Sequence, residues 1–589
     1  MIISLLPAMT MYLCEVRAWY KDAQGGFCPP FGLTPFKGKL YLWDMNSYIY
    51  DLLQKALSGL DISELPEIQL ESPKVAEHGD VSTNIAMLLA KPLRQNPRAI
   101  AQQLLDTMPL DPQVLEAIEI AGPGFINFRF AKEYVYQQLR GIIEEGSDFG
   151  KTASRKGQRV QIEFVSANPT GPLTVGHGRN AVLGDTIARL LEWTGASVDR
   201  EYYFNDAGRQ MRVLGQSVQA RYQQLLGQSI ELPEGGYEGA YIIDIAQGIV
   251  DQYGKEWEEK DWEAFKKVAQ EAIFADISQT LERMNIHMDS FFNEFDLYEN
   301  GDIEKVLAAL KEKGLVYEAD GATWFKTTEF GKEKDTVLVK STGEPTYRLP
   351  DIAYHANKLD RGYDECVDVF GADHIATYPD VLSALQALGY DEQRIRVIVY
   401  QFVTLVKDGQ PFKMSTRKAN FVTLDELMDE VGSDVTRFFF LMRSPNTHLE
   451  FDIGQAKEAG EKNPVFYLQY AHARIHSILR KAEEEYGAAP ESPTLEQLKP
   501  LVHPSELTLM KTLFKLPKAI AGAADANEPH RLINYLNDVA TDFTSFYHDC
   551  RIMGVEQECA QARVLLARQT ARVLSNGLGI LGIHAPEQM

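Results

Sequence analysis

The chain has 589 residues, and at about 150 residues per domain that length predicts three to five structural units and excludes a single small module. Hydrophobic residues at 45% and charged residues at 24% supply enough apolar surface for large cores and exclude wholesale disorder. Lys+Arg 59 against Asp+Glu 83 gives a net charge of -24, so a nucleic-acid partner has to be held by local basic patches, and a polybasic binder is excluded.

Residues 1–44 open with the apolar stretch MIISLLPAMTMYL, which lacks the basic start of an export signal and is broken by Pro7. They read as a leader, non-native or disordered, with the start at Met1 or Met45 left open. A helical pattern begins at Met45, with Ile49, Leu52, Leu53 and Leu57 on one face, and alternates up to residue 143 with short strands such as FINFRF. This predicts a small α+β module. The charged, glycine-containing stretch 144–159 reads as a linker. In VQIEFV, Val160, Ile162 and Phe164 share one face of a strand, while Gln161 and Glu163 share the other. A Gly/Pro-rich loop follows, then Leu183, Ile187, Leu190 and Leu191 at helical spacing, with Gly195 where a C-terminal helix glycine belongs. Strand, glycine-rich loop and helix open a Rossmann-type α/β domain over residues 160–455.

A largely helical insertion is expected at about 211–335. The strand signals TVLVK, VDVFG and RIRVIVYQFV then resume the parallel sheet. Residues 456–589 read as helical throughout. The five cysteines, Cys14, Cys28, Cys366, Cys550 and Cys559, form no metal-binding spacing, so reduced thiols and no zinc are expected. No stretch approaches the roughly 18 apolar residues of a spanning helix, and a cytoplasmic location is expected.

Two segments carry candidate chemistry. In the first, Ala167-Asn168-Pro169-Thr170-Gly171-Pro172-Leu173-Thr174-Val175-Gly176-His177, Gly176 lets backbone approach a nucleotide. His177 can donate to phosphate or ribose oxygens at a helix N-terminus. Taken alone, the same residues can make a tight turn with His177 as its cap. In the second, Lys413-Met414-Ser415-Thr416-Arg417-Lys418, three cations within six residues can neutralise charge on a pentavalent phosphorus. Taken alone, it can equally be a solvated basic turn.

Together the two segments resemble the HIGH and KMSKS signatures of class I aminoacyl-tRNA synthetases. Their extended forms, EFVSANPTGPLTVGHGR and KMSTRKANFVTLDEL, resemble arginyl-tRNA synthetases of bacterial type. His78-Gly79-Asp80, REYYFNDAGRQM, PTYRLPDIAYH, VFGADH, DVTRFFFLMRSPNTHLEFD and the terminal IHAPEQM extend the resemblance from about Met45 to Met589.

The resemblance implies ATP-dependent ligation of L-arginine to tRNA(Arg) through an arginyl-adenylate, with release of AMP and pyrophosphate. Mg²⁺ would be carried on ATP, arginine activation would wait for tRNA, and the enzyme would be a monomer. His177, Thr174, Lys413 and Ser415 would be catalytic. Residues 167–177 and 413–417 would hold ATP. Glu163 and Asn168 would hold the ammonium end of arginine, while Tyr347 and Asp351, four apart on a helix, would contact its guanidinium.

Thr174 and Thr416 depart from the signatures, standing where the first histidine and the second lysine belong. They leave open a non-catalytic tRNA-binding relative, beside a class I synthetase for another amino acid or a HIGH-type nucleotidyltransferase. The resemblance also makes the first module a contact for the tRNA elbow and the last domain an anticodon binder. In that last domain Arg474, Arg480, Lys511, Lys515 and Tyr547 are the candidate tRNA contacts, with His472, His476, Lys481, Lys518, Tyr535 and His548 as further cations and flat groups.

Overall fold

The computed structural model describes residues 45–60, 62, 65–71, 73, 78–206, 208–407, 409–411, 422–460 and 462–589. The leader and the Lys413–Lys418 segment lie outside the described residues. In the first module the helix Met45–Leu57 buries Ile49, Leu52, Leu53 and Leu57, the predicted stripe. It accompanies an antiparallel sheet of β1 (Val81–Thr83), β2 (Leu115–Ala121) and β3 (Phe125–Phe130), with β3 central. The stretch expected to be a linker is held fast: Phe149 is fully buried, and the Asn576 amide donates to the Ser147 and Phe149 carbonyls at 3.2 and 2.9 Å. Charge and glycine content mark a break in regular structure, but they carry no information on whether the connection is fastened.

The central sheet begins with β4 (Arg159–Glu163), β5 (Ser197–Phe204) and β6 (Ser290–Asn293). Next come β7 (Val316–Ala319), β8 (Ala322–Phe325) and β9 (Thr336–Val339), an antiparallel sheet of their own. The chain then returns through β10 (Glu365–Gly371) and β11 (Ile395–Tyr400). The central order is β11-β10-β4-β5-β6, every pair parallel.

Two expectations need correction. TVLVK is β9 and lies in the small antiparallel sheet, because a period-2 pattern specifies a strand and not its neighbours. The expected helical insertion holds the helices Arg209–Leu225, Ala240–Tyr253 and Trp262–Arg283, but β6 interrupts it to form the sheet edge. From β4 the chain builds β5 and β6 to one side and β10 and β11 to the other. The strand ends therefore part between β4 and β10, the place where parallel α/β sheets bind ligands.

The helix Val175–Trp193 covers this sheet and is capped by Thr194 and then Gly195, whose φ of +95° suits glycine. A Cβ at Gly178 would stand 2.6 Å from Leu424 Cδ1, so the missing side chain lets that helix pack closely on the element after residue 421. The remaining helices include Pro464–Tyr486, Pro504–Leu513, Leu516–Ala526, His530–Asp549 and Gln557–Ile580. Their apolar faces join one core with the central sheet. Among the described residues no helix is long and apolar enough to cross a membrane.

Candidate active site

At the parting of β4 and β10 lies a cavity of about 490 Å³. Its wall begins where β4 stops, at Glu163, two residues short of the expected strand end. Val165 and Ser166 take φ of +67° and +41°. Left-handed backbone at a β-branched residue costs on the order of 1–3 kcal/mol and persists only where the surroundings fix it. Here Val165 N–H donates to Asn180 Oδ1 at 2.6 Å, and the Asn180 amide donates to the Val369 carbonyl at 2.8 Å. One side chain thus ties the ends of β4 and β10. The bend aims Ser166 Oγ at Glu163 Oε1, to which it donates at 2.9 Å.

Thr174 and His177 close a reciprocal cap at the start of the helix Val175–Trp193. His177 N–H donates to Thr174 Oγ1 at 3.4 Å, and Thr174 N–H donates to His177 Nδ1 at 3.2 Å. Because Nδ1 accepts, a neutral His177 carries its proton on Nε2. Burial lowers its pKa, which favours that neutral form. Capping and donation are therefore compatible, and the cap selects the tautomer that donates. His177 lines the cavity; Thr174 does not. Its oxygen accepts from His177 N–H, so the contact seen for Thr174 is that of a helix cap.

Of the remaining loop residues, Ala167 and Asn168 line the cavity, and Asn168 donates to Gln210 Oε1 at 2.8 Å. Pro169, Pro172, Leu173 and Val175 are buried in support. The Thr170 carbonyl accepts from the Tyr241 hydroxyl at 2.7 Å, whose ring also backs Gly171. These loop residues and Gly176 do not line this cavity. Lys413, Met414, Ser415, Thr416 and Arg417 lie outside the described residues. The chain that follows them is anchored beside His177. Thr423 pairs with Thr174 in an antiparallel bridge, and Leu424 N–H donates to the Leu173 carbonyl at 2.8 Å.

Glu163, Asn168, Tyr347 and Asp351 all line the same cavity. Tyr347 precedes the helix Arg348–Asp360 and is 71% exposed at the mouth, while Asp351 lies one turn further in. Burial raises the Asp351 pKa to about 7, with repulsion from Glu163 and Glu294 partly offset by His355. Glu294 was not anticipated: it follows β6, lines the cavity, accepts from the Tyr203 hydroxyl at 2.9 Å, and has its own pKa raised by burial. Gln210, Asp373 and His374 complete the rim. Tyr203, Gln210, Asp373 and His374 sit inside the sequence runs REYYFNDAGRQM and VFGADH, but nothing local marks Glu294. His355 and Lys358 were also missed, although helical spacing from Asp351 puts them on its face.

The candidate tRNA contacts divide. Lys511 pairs with Asp80 at 2.5 Å, joining the last domain to the first module, so it is a structural cation and not a free phosphate contact. Tyr535 is buried and donates to the Leu513 carbonyl at 3.1 Å, and His472 is buried against the Pro586 carbonyl. Arg474, Arg480, Lys515 and Tyr547 are exposed, Tyr547 stacking on Phe543.

A parallel sheet with an acidic cavity at its switch point, rimmed by a helix-start histidine, is the framework of a class I aminoacyl-tRNA synthetase. Residues 138–439 match the model "tRNA synthetases class I (R), catalytic domain", residues 468–589 the "DALR anticodon binding domain", and residues 47–130 the "Arginyl tRNA synthetase N terminal domain". The arginine–tRNA ligase of Salinibacter ruber is 54% identical over 565 residues, covering 92% of this chain and all of the relative. That of Desulfotalea psychrophila is 51% identical, covering 88% and 94%. The structure of Thermus thermophilus arginyl-tRNA synthetase superposes with a TM-score of 0.71 at 25% identity, covering 92% of this chain and all of that one. The chain belongs to the arginyl-tRNA synthetase family.

Proposed function

We propose that this chain ligates L-arginine to tRNA(Arg) in two steps in the cavity between β4 and β10. An arginine carboxylate oxygen attacks the α-phosphorus of ATP, the bond to the bridging oxygen breaks, and pyrophosphate leaves with its electron pair. The ribose hydroxyl of the terminal tRNA adenosine then takes the arginyl group and AMP leaves. Arginine is its own nucleophile, so the protein's work is positioning and charge stabilisation. Mg²⁺ enters on the β- and γ-phosphates as part of the ATP substrate.

The carrying observation is the Asp351 carboxylate, one helical turn inside the exposed Tyr347 phenol, with a pKa raised to about 7. A guanidinium has five donors and a permanent charge, so it returns such an acid to its ionised form where a neutral side chain cannot. Glu294 offers a second carboxylate to the same end, and Glu163 with Asn168 takes the ammonium. His177 Nε2–H donates to the phosphate as charge develops. Lys413 and Ser415 are assigned to the ATP phosphates. Support for this comes from their signature and from Thr423, eight residues after Ser415, which is bridged to Thr174. Arg474, Arg480, Lys515 and Tyr547 remain candidate tRNA contacts.

ATP–pyrophosphate exchange with arginine, with and without tRNA, tests the reading. Arginine-dependent exchange is expected, with tRNA required for it. Absence of exchange under both conditions would favour the tRNA-binding relative.

A further inference from the structure

Beneath the arginine cavity the helix Arg348–Asp360 carries Lys358, which is 0% exposed. Its ammonium donates to Glu163 Oε2 at 2.5 Å and to Asp368 Oδ1 at 2.6 Å, and it lies over the Tyr354 ring at 4.4 Å. The other oxygen of Asp368 faces His355 Nε2 at 3.0 Å, while His355 Nδ1 lies 2.7 Å from the Asp351 carbonyl. A carbonyl and a carboxylate only accept, so both ring nitrogens donate and His355 is an imidazolium. Two carboxylates thus meet two cations in a set that is neutral overall.

The same set has a second property. Ligating atoms of Glu163, His355 and Asp368 lie within 4.8 Å of one another, an arrangement suited to a divalent ion, and the Lys358 ammonium is bonded to two of the three residues. Glu163 Oε2 is committed to Lys358, so Oε1, already oriented by Ser166, is the oxygen left for a ligand.

We propose that Lys358 is a positioning residue, an internal ammonium that fills the cation site between the carboxylates of Glu163 and Asp368, beside His355, and so presents one oriented oxygen of Glu163 to the ammonium of arginine. The inference rests on the assignment of Glu163 to that ammonium. Its consequence is selective. Lys358 acts on amino-acid binding through Glu163, leaves the ATP subsite alone, and keeps metal ions and a misplaced substrate ammonium out of the floor.

The test is exchange kinetics on the whole protein with tRNA present, for Lys358→Met, Glu163→Gln and the two combined. Lys358→Met is expected to raise the arginine KM at least tenfold while the ATP KM stays within twofold. The combined variant is expected to be no worse than Glu163→Gln alone, since residues acting through one group do not add. The variant Lys358→Met/Asp368→Asn removes one charge of each sign, preserves the balance of the set, and is expected to give the same rise even where the single variant fails to fold. Lys358→Ala is expected to gain Co²⁺ binding, read from its visible absorption, that the native protein lacks.

A native arginine KM in folded Lys358→Met or in the charge-balanced variant overturns the proposal while sparing the Glu163 assignment. Multiplicative losses in the combined variant, or no Co²⁺ binding by Lys358→Ala, also count against it. A native arginine KM in Glu163→Gln overturns the assignment and the proposal together.

Discussion

The floor and the mouth of the cavity hold carboxylates under opposite conditions. On the floor, Glu163 and Asp368 are matched by Lys358 and His355, and Asp368 is held well below the usual carboxylate range by Lys358 and His355 despite its burial. Asp351, one turn in from the exposed Tyr347, and Glu294 form no ion pair among the described residues, and burial raises the pKa of both, with His355 and Lys358 only partly offsetting it at Asp351. Asp368, engaged on both oxygens by His355 and Lys358, is architecture, while Glu163 keeps Oε1 apart from Lys358. Acids left without a cation are where the proposed function puts the charge of the substrate.

This contrast can be broken at either end, and the largest effect is expected at the mouth. Asp351→Asn keeps the shape and removes the charge proposed to meet the guanidinium. Breaking such a pair costs about 3–5 kcal/mol, so the arginine KM should rise at least a hundredfold with tRNA affinity unchanged; a native arginine KM would dismiss the pocket. His177→Ala should lower kcat by about 10²–10³ through loss of one transition-state donor, with little change in the arginine KM. Exchange rates at saturating arginine distinguish it from a binding defect.

The pH dependence is gentler. Below pH 7 Asp351 is increasingly protonated and must lose its proton to pair with a guanidinium. kcat/KM for arginine should therefore rise by up to about tenfold per unit from pH 6 and level off above about pH 7.5, a slope that Asp351→Asn abolishes. The smallest effect is expected far from the cavity. Lys511→Met breaks its pair with Asp80 and should lower the thermal midpoint by a few degrees, leaving unchanged the salt dependence of tRNA binding. A shallower salt dependence would restore Lys511 as a phosphate contact.

The sequence made legible what local periodicity and motif spacing can carry. The alternation of VQIEFV, the helical spacing of Leu183, Ile187, Leu190 and Leu191, and the four-residue interval from Tyr347 to Asp351 each describe one element. The structure places Glu163, His177, Tyr347 and Asp351 on one cavity. What stayed hidden depends on partners remote in the chain. Lys511 looked like a phosphate contact because its partner Asp80 is 431 residues away. Tyr535 looked like a stacking platform because a helical stripe does not tell which aromatic turns inward, and Glu294 enters the cavity only because β6 completes the sheet edge. Lys358 was within reach, since Asp351, His355 and Lys358 recur at helical spacing, but its significance lies in carboxylates supplied by β4 and β10. The two left-handed residues Val165 and Ser166 carry no sequence signal, because strain of this kind is imposed by the surroundings that the loop joins.

The measurement that bears most directly on the unmatched acid is calorimetry of arginine binding at pH 7 in buffers of different ionisation enthalpy. With the Asp351 pKa near 7, pairing with a guanidinium should release about half a proton per arginine bound, and Asp351→Asn should release none. Binding heats that do not depend on the buffer in the native protein, or that depend on it equally in Asp351→Asn, would contradict the account.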